Sequence, residues 1–543
     1  MPERPHGLNK PETTSFDQLE VVIIGAGFAG MYMLYRMRQL GFQTRVYEIG
    51  NGVGGTWYWN RYPGARCDVE SIEYSYQFSD ELQQEWEWNE KYSTQPEILR
   101  YANHVADRFD LRRDIQFNAR VESAIFDEQA GRWNLKINNG DRVSATFCVM
   151  ATGCLSAPNT PDFVNLEHYN GKVFHTGNWP HENVDFSGMS VGVIGTGSSA
   201  IQSIPLFASQ ARHLFVYQRT PNYTVPAHNA PLNPEEVKEI KANYTALRAR
   251  AKTTPMGIDW SMPTRSAVET DPKDRIEEYE SRWKKGGTAF LASFKDLLVD
   301  KTANDTAANF VRQKIRETVH NHKTAELLSP DNVIGCKRLC VDTGYWETFN
   351  RPNVSLIDIS HTPIETISEL GLVVAGREYK LDAIVFATGF DAMTGALLNI
   401  DIRGRNGFTL KDKWRNGPKT YLGLSAADFP NLFTITGPGS PSVLTNMLPS
   451  IEQHVEWIAD CMAFMRANGM RSIEANKEAE DEWVGHVGEV AGSTLRSTCS
   501  SWYIGANIDG KTRVFMPYIG GFPRYVEKCN EVAAKHYDGF TLN

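Results

Sequence analysis

The sequence predicts an α/β protein with two similar parallel-sheet units and one helical insertion. A β-branched run, a glycine-rich turn and a helix-forming stretch follow one another twice, at residues 21–40 and again from residue 191. Residues 224–334 are instead charge-rich and carry apolar side chains at helical spacing, as at Ile276, Tyr279 and Trp283. The 543 residues allow three or four domains of about 150 residues each.

Composition narrows the class of protein. The hydrophobic content of 41% and charged content of 22% are typical of a folded globular chain. The net charge of −9, with no long basic run, argues against nucleic acid and anionic membranes as partners. The eight cysteines form no Cys-x-x-Cys and no zinc-ligand spacing, which predicts free thiols in a reducing cytoplasm and no metal site.

Neither the N-terminal segment nor the longest apolar run suggests targeting to a membrane. Residues 1–18 are polar and contain proline, unlike a signal peptide. The apolar run 21–35 is shorter than the roughly 20 residues of a spanning helix, and three glycines interrupt it. We therefore expect a cytoplasmic protein.

The first glycine-rich turn predicts a Rossmann-like dinucleotide site. Strand residues 21–24 precede a G-x-G-x-x-G pattern, and a helix is expected over 31–40; the turn consists of Gly25, Ala26, Gly27, Phe28, Ala29 and Gly30. The glycines allow a pyrophosphate to approach the backbone at the helix N-terminus. The next strand, 43–47, ends in Glu48, which suits a ribose with both hydroxyls free. The alternative is a purely structural turn.

The identity of this first nucleotide is predicted from a second glycine cluster. Residues 52–55, Gly-Val-Gly-Gly, follow directly after Glu48. Flavoproteins that bind two dinucleotides commonly carry such a cluster, so we predict FAD.

The second turn repeats the pattern with a different end. After strand residues 191–194 the turn consists of Gly195, Thr196, Gly197, Ser198, Ser199 and Ala200. The following strand, 214–217, runs into Arg219 and Thr220 without an acid. A guanidinium can hold a 2′-phosphate through two hydrogen bonds, which predicts NADPH rather than NADH. Lys337 is a second candidate for this phosphate, and the alternative for Arg219 is a solvated surface charge.

Two Ala-Thr-Gly motifs set the predicted domain boundaries. They follow apolar strands at 147–150 and 384–386, where we expect the chain to cross between units. The predicted FAD domain is residues 1–154 and 390–543. The predicted NADPH domain is residues 155–223 and 335–389, and it contains the helical insertion 224–334.

Residues 169–180 carry a resemblance to a known family. Gly171, His175 and Trp179, followed by Pro180, resemble the fingerprint of Baeyer–Villiger monooxygenases, with Tyr169 in place of the usual Phe. A second family pattern matches at residues that include Gly55, Thr56, Trp57, Tyr62 and Asp68. The resemblance covers nearly the whole chain. The sequence is similar to the type I branch, which contains the cyclohexanone, phenylacetone and steroid monooxygenases.

The resemblance implies an oxygenase reaction with FAD, NADPH and O2. NADPH would reduce the flavin, O2 would give a C4a-peroxyflavin, and a ketone (aryl-alkyl, linear or bulky cyclic) would become an ester or lactone. Such a site needs a fixed positive charge, and Arg338 cannot lose its proton at working pH. Asp68 is the expected partner that orients Arg338, although an Arg–Asp pair by itself is more often structural.

The resemblance also implies roles for other residues. The implied substrate-lining residues are Arg66, Ser442, Val443, Leu444 and Trp502, and the implied further cofactor contacts are Gln202 and Met447. Trp57 and Tyr62 either line the flavin face or fill core. We favour His175 as a residue that hydrogen-bonds backbone and couples the domains over an acid–base role, and Trp179 as packing.

Three rival functions share part of this pattern. A flavin monooxygenase acting on nitrogen or sulfur would keep both turns, but it would not need the Arg338–Asp68 pair. A disulfide reductase needs a redox cysteine pair, and no Cys-x-x-Cys is present. A non-catalytic NADPH/FAD-binding sensor would need no charge at the site. The particular ketone, the selectivity and the oligomeric state stay open.

Overall fold

The computed structural model describes residues 17–543 and has the predicted α/β architecture. The prediction for the polar N-terminus, residues 1–18, lies outside the described residues except for Asp17 and Gln18. Two sheets, each built around one glycine-rich turn, carry the fold, and smaller sheets flank them.

The first sheet has eight strands within the described chain. Its central strand is buried on both faces, because the side chains of residues 21–24 are at most 6% exposed. An antiparallel meander joins the parallel strands at the strand that ends at Met150. The strands are Asp17–Ile24, Thr44–Tyr47, Ile115–Gln116, Val121–Asp127, Arg132–Ile137, Arg142–Met150, Asp401–Arg403 and Leu432–Thr434.

The second sheet has five strands, and all of its pairings are parallel. In spatial order these strands are Val354–Asp358, His213–Gln218, Ser190–Ile194, Ala383–Phe386 and Lys172–His175. A three-stranded antiparallel sheet comprises Ile364–Ser368, Gly371–Val374 and Arg377–Lys380. Two strand pairs complete the β-structure: Thr224–Pro226 with Cys340–Asp342, and Ile473–Ala475 with Phe540–Leu542.

Helices cover both sheets. In the first unit and the C-terminal part they are Phe28–Gln39, Thr56–Trp59, Asp80–Glu85, Gln95–Arg108, Gly395–Leu398, Leu410–Lys413, Met447–Ala467, Lys477–Gly492 and Phe522–Ala534. In the second unit and the insertion they are Ser198–Gln210, Pro234–Ala242, Tyr244–Ala251, Pro272–Lys285, Lys301–Thr318, His322–Leu328 and Tyr345–Thr348. None of the helices between residues 17 and 543 combines the length and the apolar character needed to cross a membrane.

The helical insertion divides its packing between two cores. Its later helices share a core with the second sheet, through Tyr279 and Phe310 among others. Its first two helices pack against the core of the first sheet through Tyr244. Arg248 anchors them there, because its guanidinium donates to the carbonyl of Ile72 and the hydroxyl of Ser75, both at 2.7 Å.

The two crossings between the sheets run side by side. The chain leaves the first sheet after Met150 and returns to it after Phe386. Where the crossings meet, Pro158 and Phe390 form an antiparallel bridge, and the Asn159 N–H donates to the Gly389 carbonyl at 2.9 Å.

Candidate functional site

Both glycine-rich turns open into one cavity of about 1930 Å³. Each turn lies at the carboxyl end of the central strand of its sheet, where ligands bind in open α/β folds. Every residue predicted to bind a cofactor lines this cavity except Gly30. The cavity is therefore the candidate site.

The three glycines of the first turn leave little or no room for side chains at their positions. Gly25 has a φ of 106°, and a Cβ there would lie 2.5 Å from the carbonyl oxygen of Ala151. A Cβ on Gly30 would collide with the Gly25 carbonyl oxygen, and one on Gly27 would lie 3.3 Å from the Cα of Gly55. At these three positions the turn presents bare backbone, which fits the close approach of a pyrophosphate.

Glu48 lies beside this turn and is only 4% exposed. Its carboxylate accepts the backbone N–H of Ala26 at 2.7 Å and that of Gly50 at 2.8 Å. Burial raises the pKa of Glu48, against the effect of these two N–H donors. Each carboxylate oxygen has one such bond, so both keep acceptor capacity toward the cavity for hydroxyl groups.

The aromatic residues near this turn are mostly packed. Trp57 and Tyr62 are 7% and 9% exposed, and both line the cavity. The Trp57 indole N–H donates to the Tyr74 hydroxyl at 3.0 Å, with the two rings edge to face. Each ring thus combines core packing with one surface toward the cavity.

The second turn is more open. Gly195 has a φ of 114°, and a Cβ there would lie 2.5 Å from the carbonyl oxygen of Ala387. A Cβ on Gly197 would meet no heavy atom within 4 Å, and Ala200 is fully buried at the third position. Thr196 donates to the Thr220 carbonyl at 2.8 Å, which joins the turn to the end of the neighbouring strand.

Two cations stand at the end of that neighbouring strand. Arg219 is exposed, Lys337 is half-buried, and both line the cavity. Neither forms an ion pair with a carboxylate of residues 17–543. Burial lowers the pKa of Lys337, and the charge of Arg219 acts in the same direction. Adjacent cations without a carboxylate favour an anionic ligand such as a phosphate.

Arg338 and Asp68 come together between the two turns. Arg338 Nε donates to Asp68 Oδ2 at 2.9 Å, and Nη1 donates to the Val443 carbonyl at 3.4 Å. Burial opposes the charge on Arg338, but Asp68 together with Tyr503 and Cys67 outweighs it and raises the pKa of the guanidinium. The Arg338 side chain is 32% exposed, so a permanent positive charge faces the cavity.

Gln202 ties this ion pair to both units. It lies on helix Ser198–Gln210 of the second unit. Its Nε2 donates to Asp68 Oδ1 at 3.4 Å and to the Arg66 carbonyl at 3.0 Å, and its Oε1 accepts the Tyr62 hydroxyl at 2.8 Å. Gln202 thus orients Asp68 from across the boundary between the units.

The predicted substrate residues divide into two sets. Arg66, Val443 and Trp502 line the cavity, as does Met447, the predicted cofactor contact at the start of helix Met447–Ala467. Ser442 and Leu444 do not line it. Ser442 is fully buried and donates to the Thr436 carbonyl at 3.1 Å, while Leu444 packs in a small apolar cluster with Met393 and Tyr503.

The fingerprint residues lie outside the cavity and hold the crossings. His175 Nδ1 accepts the Gly177 N–H at 2.9 Å, so Nε2 carries the proton of a neutral ring and donates to the Asn159 carbonyl at 3.2 Å. Burial lowers the pKa of His175, which keeps this ring neutral. The Thr388 hydroxyl donates to the same carbonyl. His175, at the end of a strand of the second sheet, and Thr388, in the second crossing, therefore both bind one backbone carbonyl of the first crossing.

The other two fingerprint residues have packing roles. Trp179 is 5% exposed and stacks on Phe174 and Phe207, with ring centroids 5.2 and 5.8 Å away. A Cβ on Gly171 would lie 2.8 Å from the Asp382 carbonyl oxygen, so this position needs glycine for close chain packing.

Sequence reasoning missed several residues of the cavity wall. Lys301 and Asp331 reach it from the helical insertion, and Cys336 and Cys499 reach it from segments far apart in the chain. No local pattern marks Lys301 or Asp331. A signal for Cys336 was available, because it directly precedes Lys337 and Arg338.

Comparison with known proteins places this geometry among flavin-dependent enzymes. A family model described as pyridine nucleotide-disulphide oxidoreductase matches residues 22–280. A Baeyer–Villiger monooxygenase from Pseudooceanicola batsensis is 41% identical over 96% of this chain and 95% of that protein. A phenazine N-monooxygenase from Lysobacter antibioticus is 38% identical over 98% of both chains.

A solved structure is closer in sequence than these two relatives. An oxidised steroid monooxygenase bound to NADP is 52% identical and superposes with a TM-score of 0.92. The match covers 97% of this chain and 99% of that one.

Proposed function

The chain belongs to the Baeyer–Villiger monooxygenase family, and on that premise we propose that it binds FAD and NADPH and uses O2 to convert ketones into esters or lactones. The observation that carries the proposal is the Arg338 guanidinium, which faces the shared cavity and is held by Asp68 at 2.9 Å. A permanent cation there can stabilise negative charge on oxygen during the reaction.

Each turn would hold one nucleotide. The closed first turn, with Glu48 beside it, fits the pyrophosphate and ribose of FAD. The open second turn, with Arg219 and Lys337, fits NADPH and its 2′-phosphate. When bound, the two cofactors supply hydride transfer and oxygen activation.

The protein's own residues orient the Arg338 guanidinium and shape the part of the cavity proposed for the ketone. Asp68 and Gln202 hold the Arg338 guanidinium in one orientation at the boundary of the units. Arg66, Val443 and Trp502 line the part of the cavity proposed for the ketone. The similarity to a steroid monooxygenase supports bulky cyclic ketones as substrates, beside aryl-alkyl and linear ones.

The sheets support the proposed domain division. Strands of the first sheet come from residues 17–150 and 401–434, and those of the second from 172–218 and 354–386. This agrees with an FAD domain of 1–154 and 390–543 around an NADPH domain of 155–223 and 335–389 with its insertion at 224–334. The eight free cysteines support a cytoplasmic location.

The experiment is a ketone panel with the purified yellow protein. NADPH consumption should rise with a good ketone, and mass spectrometry should find a product about 16 Da heavier, one oxygen atom. Amine and sulfide substrates test the N- and S-oxidation that the phenazine relative represents. NADPH oxidation that yields only hydrogen peroxide with every ketone would contradict the proposal.

A further inference from the structure

Two cysteines that are distant in sequence meet in the cavity wall. Cys336 and Cys499 are 2% and 7% exposed and share a small apolar cluster with Val333 and Leu495. Both side chains pack into this one cluster, each thiol is the largest influence on the pKa of the other, and both residues line the cavity. A small reagent in the cavity could therefore reach both sulfur atoms.

We propose that Cys336 and Cys499 form a redox modification site, at which hydrogen peroxide converts the two thiols into a disulfide. The Cys499 sulfur attacks one peroxide oxygen, the O–O bond breaks, and a sulfenic acid and one water form. The Cys336 sulfur then attacks the Cys499 sulfur, an S–S bond forms, and a second water leaves. The thiols lose two electrons and two protons, and the peroxide is reduced to water.

The surrounding charges distinguish the two thiols. The neighbouring Cys336 thiol is the largest influence that lowers the pKa of Cys499, and the cations Arg496 and Lys337 add to it. The Cys499 thiol in turn raises the pKa of Cys336. Because the thiolate is the nucleophile, Cys499 is the sulfur that attacks first.

The other cysteines in the cavity wall lack this arrangement. Cys67 Sγ accepts the Val69 N–H at 3.4 Å, and burial is the largest influence that raises the pKa of this thiol. Cys154 is also buried, with a hydrogen bond to Ser442. A buried thiol of raised pKa reacts slowly, so Cys67 and Cys154 serve as internal comparisons.

The disulfide would join two parts of the cavity wall. Cys336 directly precedes Lys337 and Arg338, and Cys499 lies three residues before Trp502. The two segments already contact each other, because Arg496 Nε donates to the Gly335 carbonyl at 2.9 Å. A covalent bond would make that contact permanent and restrict the segment that carries the cations, so we expect slower NADPH oxidation.

The test treats the intact FAD-containing protein with added hydrogen peroxide. Free thiols are then alkylated, and the unreduced digest is analysed by mass spectrometry. The expected result is a peptide pair linked through Cys336 and Cys499, about 2 Da lighter than the two thiol peptides. NADPH oxidation should fall with the same time course, and dithiothreitol should restore it.

Variants separate the pair from general oxidation. Cys336→Ser and Cys499→Ser should each abolish the link and the peroxide sensitivity, whereas Cys154→Ser should retain both. Failure to find the link in the wild-type protein, or oxidation of Cys499 to sulfinic acid alone, overturns the proposal without any need for the variants to fold. Because peroxide is added, either result is independent of whether the chain oxygenates ketones.

Discussion

The two glycine-rich turns share a pattern but differ in how tightly the protein encloses them. In both, the first glycine has a positive φ and lies under the carbonyl of an alanine, Ala151 or Ala387. At the second position Gly27 lies against Gly55, whereas Gly197 has open space around it. An enclosed turn suits a nucleotide that stays bound, and an open turn suits one that exchanges in each cycle.

The largest expected effect that would break this comparison comes from Gly30→Ala. The new Cβ would collide with the Gly25 carbonyl oxygen inside the helix–strand contact, at a cost of about 3 kcal/mol. We expect a lower melting temperature and colourless protein after purification. Gly197→Ala, at the second glycine of the other turn, is the control, since its Cβ meets no heavy atom within 4 Å and FAD should be retained. Equal FAD loss in both variants would show that the turns do not differ.

Arg338→Ala tests the group that lies between the turns. Both nucleotides should still bind, so anaerobic NADPH should still bleach the flavin, while ester formation should fall about 10²- to 10³-fold. Arg338→Lys keeps the charge but loses the fork geometry, so its rate of ester formation should lie between those of the wild-type protein and Arg338→Ala. Ester formation by Arg338→Ala at nearly the wild-type rate would remove the proposed role.

Arg219→Ala sharpens the comparison on the side of the open turn. Loss of a charge-assisted contact to a 2′-phosphate should raise KM for NADPH about 10- to 100-fold and leave KM for NADH nearly unchanged. The matched control is Arg212→Ala, which removes an exposed arginine of the same unit whose ion pair is with Asp382. An equal rise for both nucleotides would exclude recognition of the phosphate by Arg219.

The smallest effect concerns a buried carboxyl on helix Met447–Ala467. Glu452 accepts the Gln77 N–H at 2.6 Å, and burial raises its pKa from 4.5 to about 7. Between these values the folded protein holds a proton that the unfolded chain releases, so stability should fall as pH rises through about 7.

Glu452→Gln should reduce the fall in the free energy of unfolding between about pH 5 and pH 8 by about 1–3 kcal/mol, which flattens its slope against pH. Urea unfolding at both pH values measures the slope. The exposed Glu478→Gln serves as the control and should keep the slope of the wild-type protein. A slope in Glu452→Gln as steep as in the wild type would assign the pH dependence to other groups.

Local pattern predicted the frame of the site closely. The strands at 21–24 and 191–194 and both turns lie where the β-branched runs and glycines indicated. The first helix begins at Phe28 rather than at 31, because the glycine pattern overlaps its first turn and Gly27 occupies the N-cap. Pattern reasoning placed the helix after the glycines, although Gly30 is already inside it.

Contacts between segments that are distant along the chain could not be predicted from sequence patterns. Gln202 was expected to bind a cofactor, and nothing in the helix around it indicates that it bridges Asp68 and Tyr62. The meeting of Cys336 and Cys499 likewise depends on how the C-terminal segment packs, which residue spacing does not encode. The Arg338–Asp68 pair was reached only through family resemblance, since an isolated Arg and Asp carry no pattern.

The paired crossings at Asn159 have a mechanical consequence. Both covalent connections between the sheets pass the same point, and His175 and Thr388 bind one carbonyl there. Rotation about an axis through this point stretches neither connection, whereas sliding or separation would strain both. Any opening of the cavity should therefore be a hinge rotation about the paired crossings, with the width of the entrance set by the angle between the two sheet units.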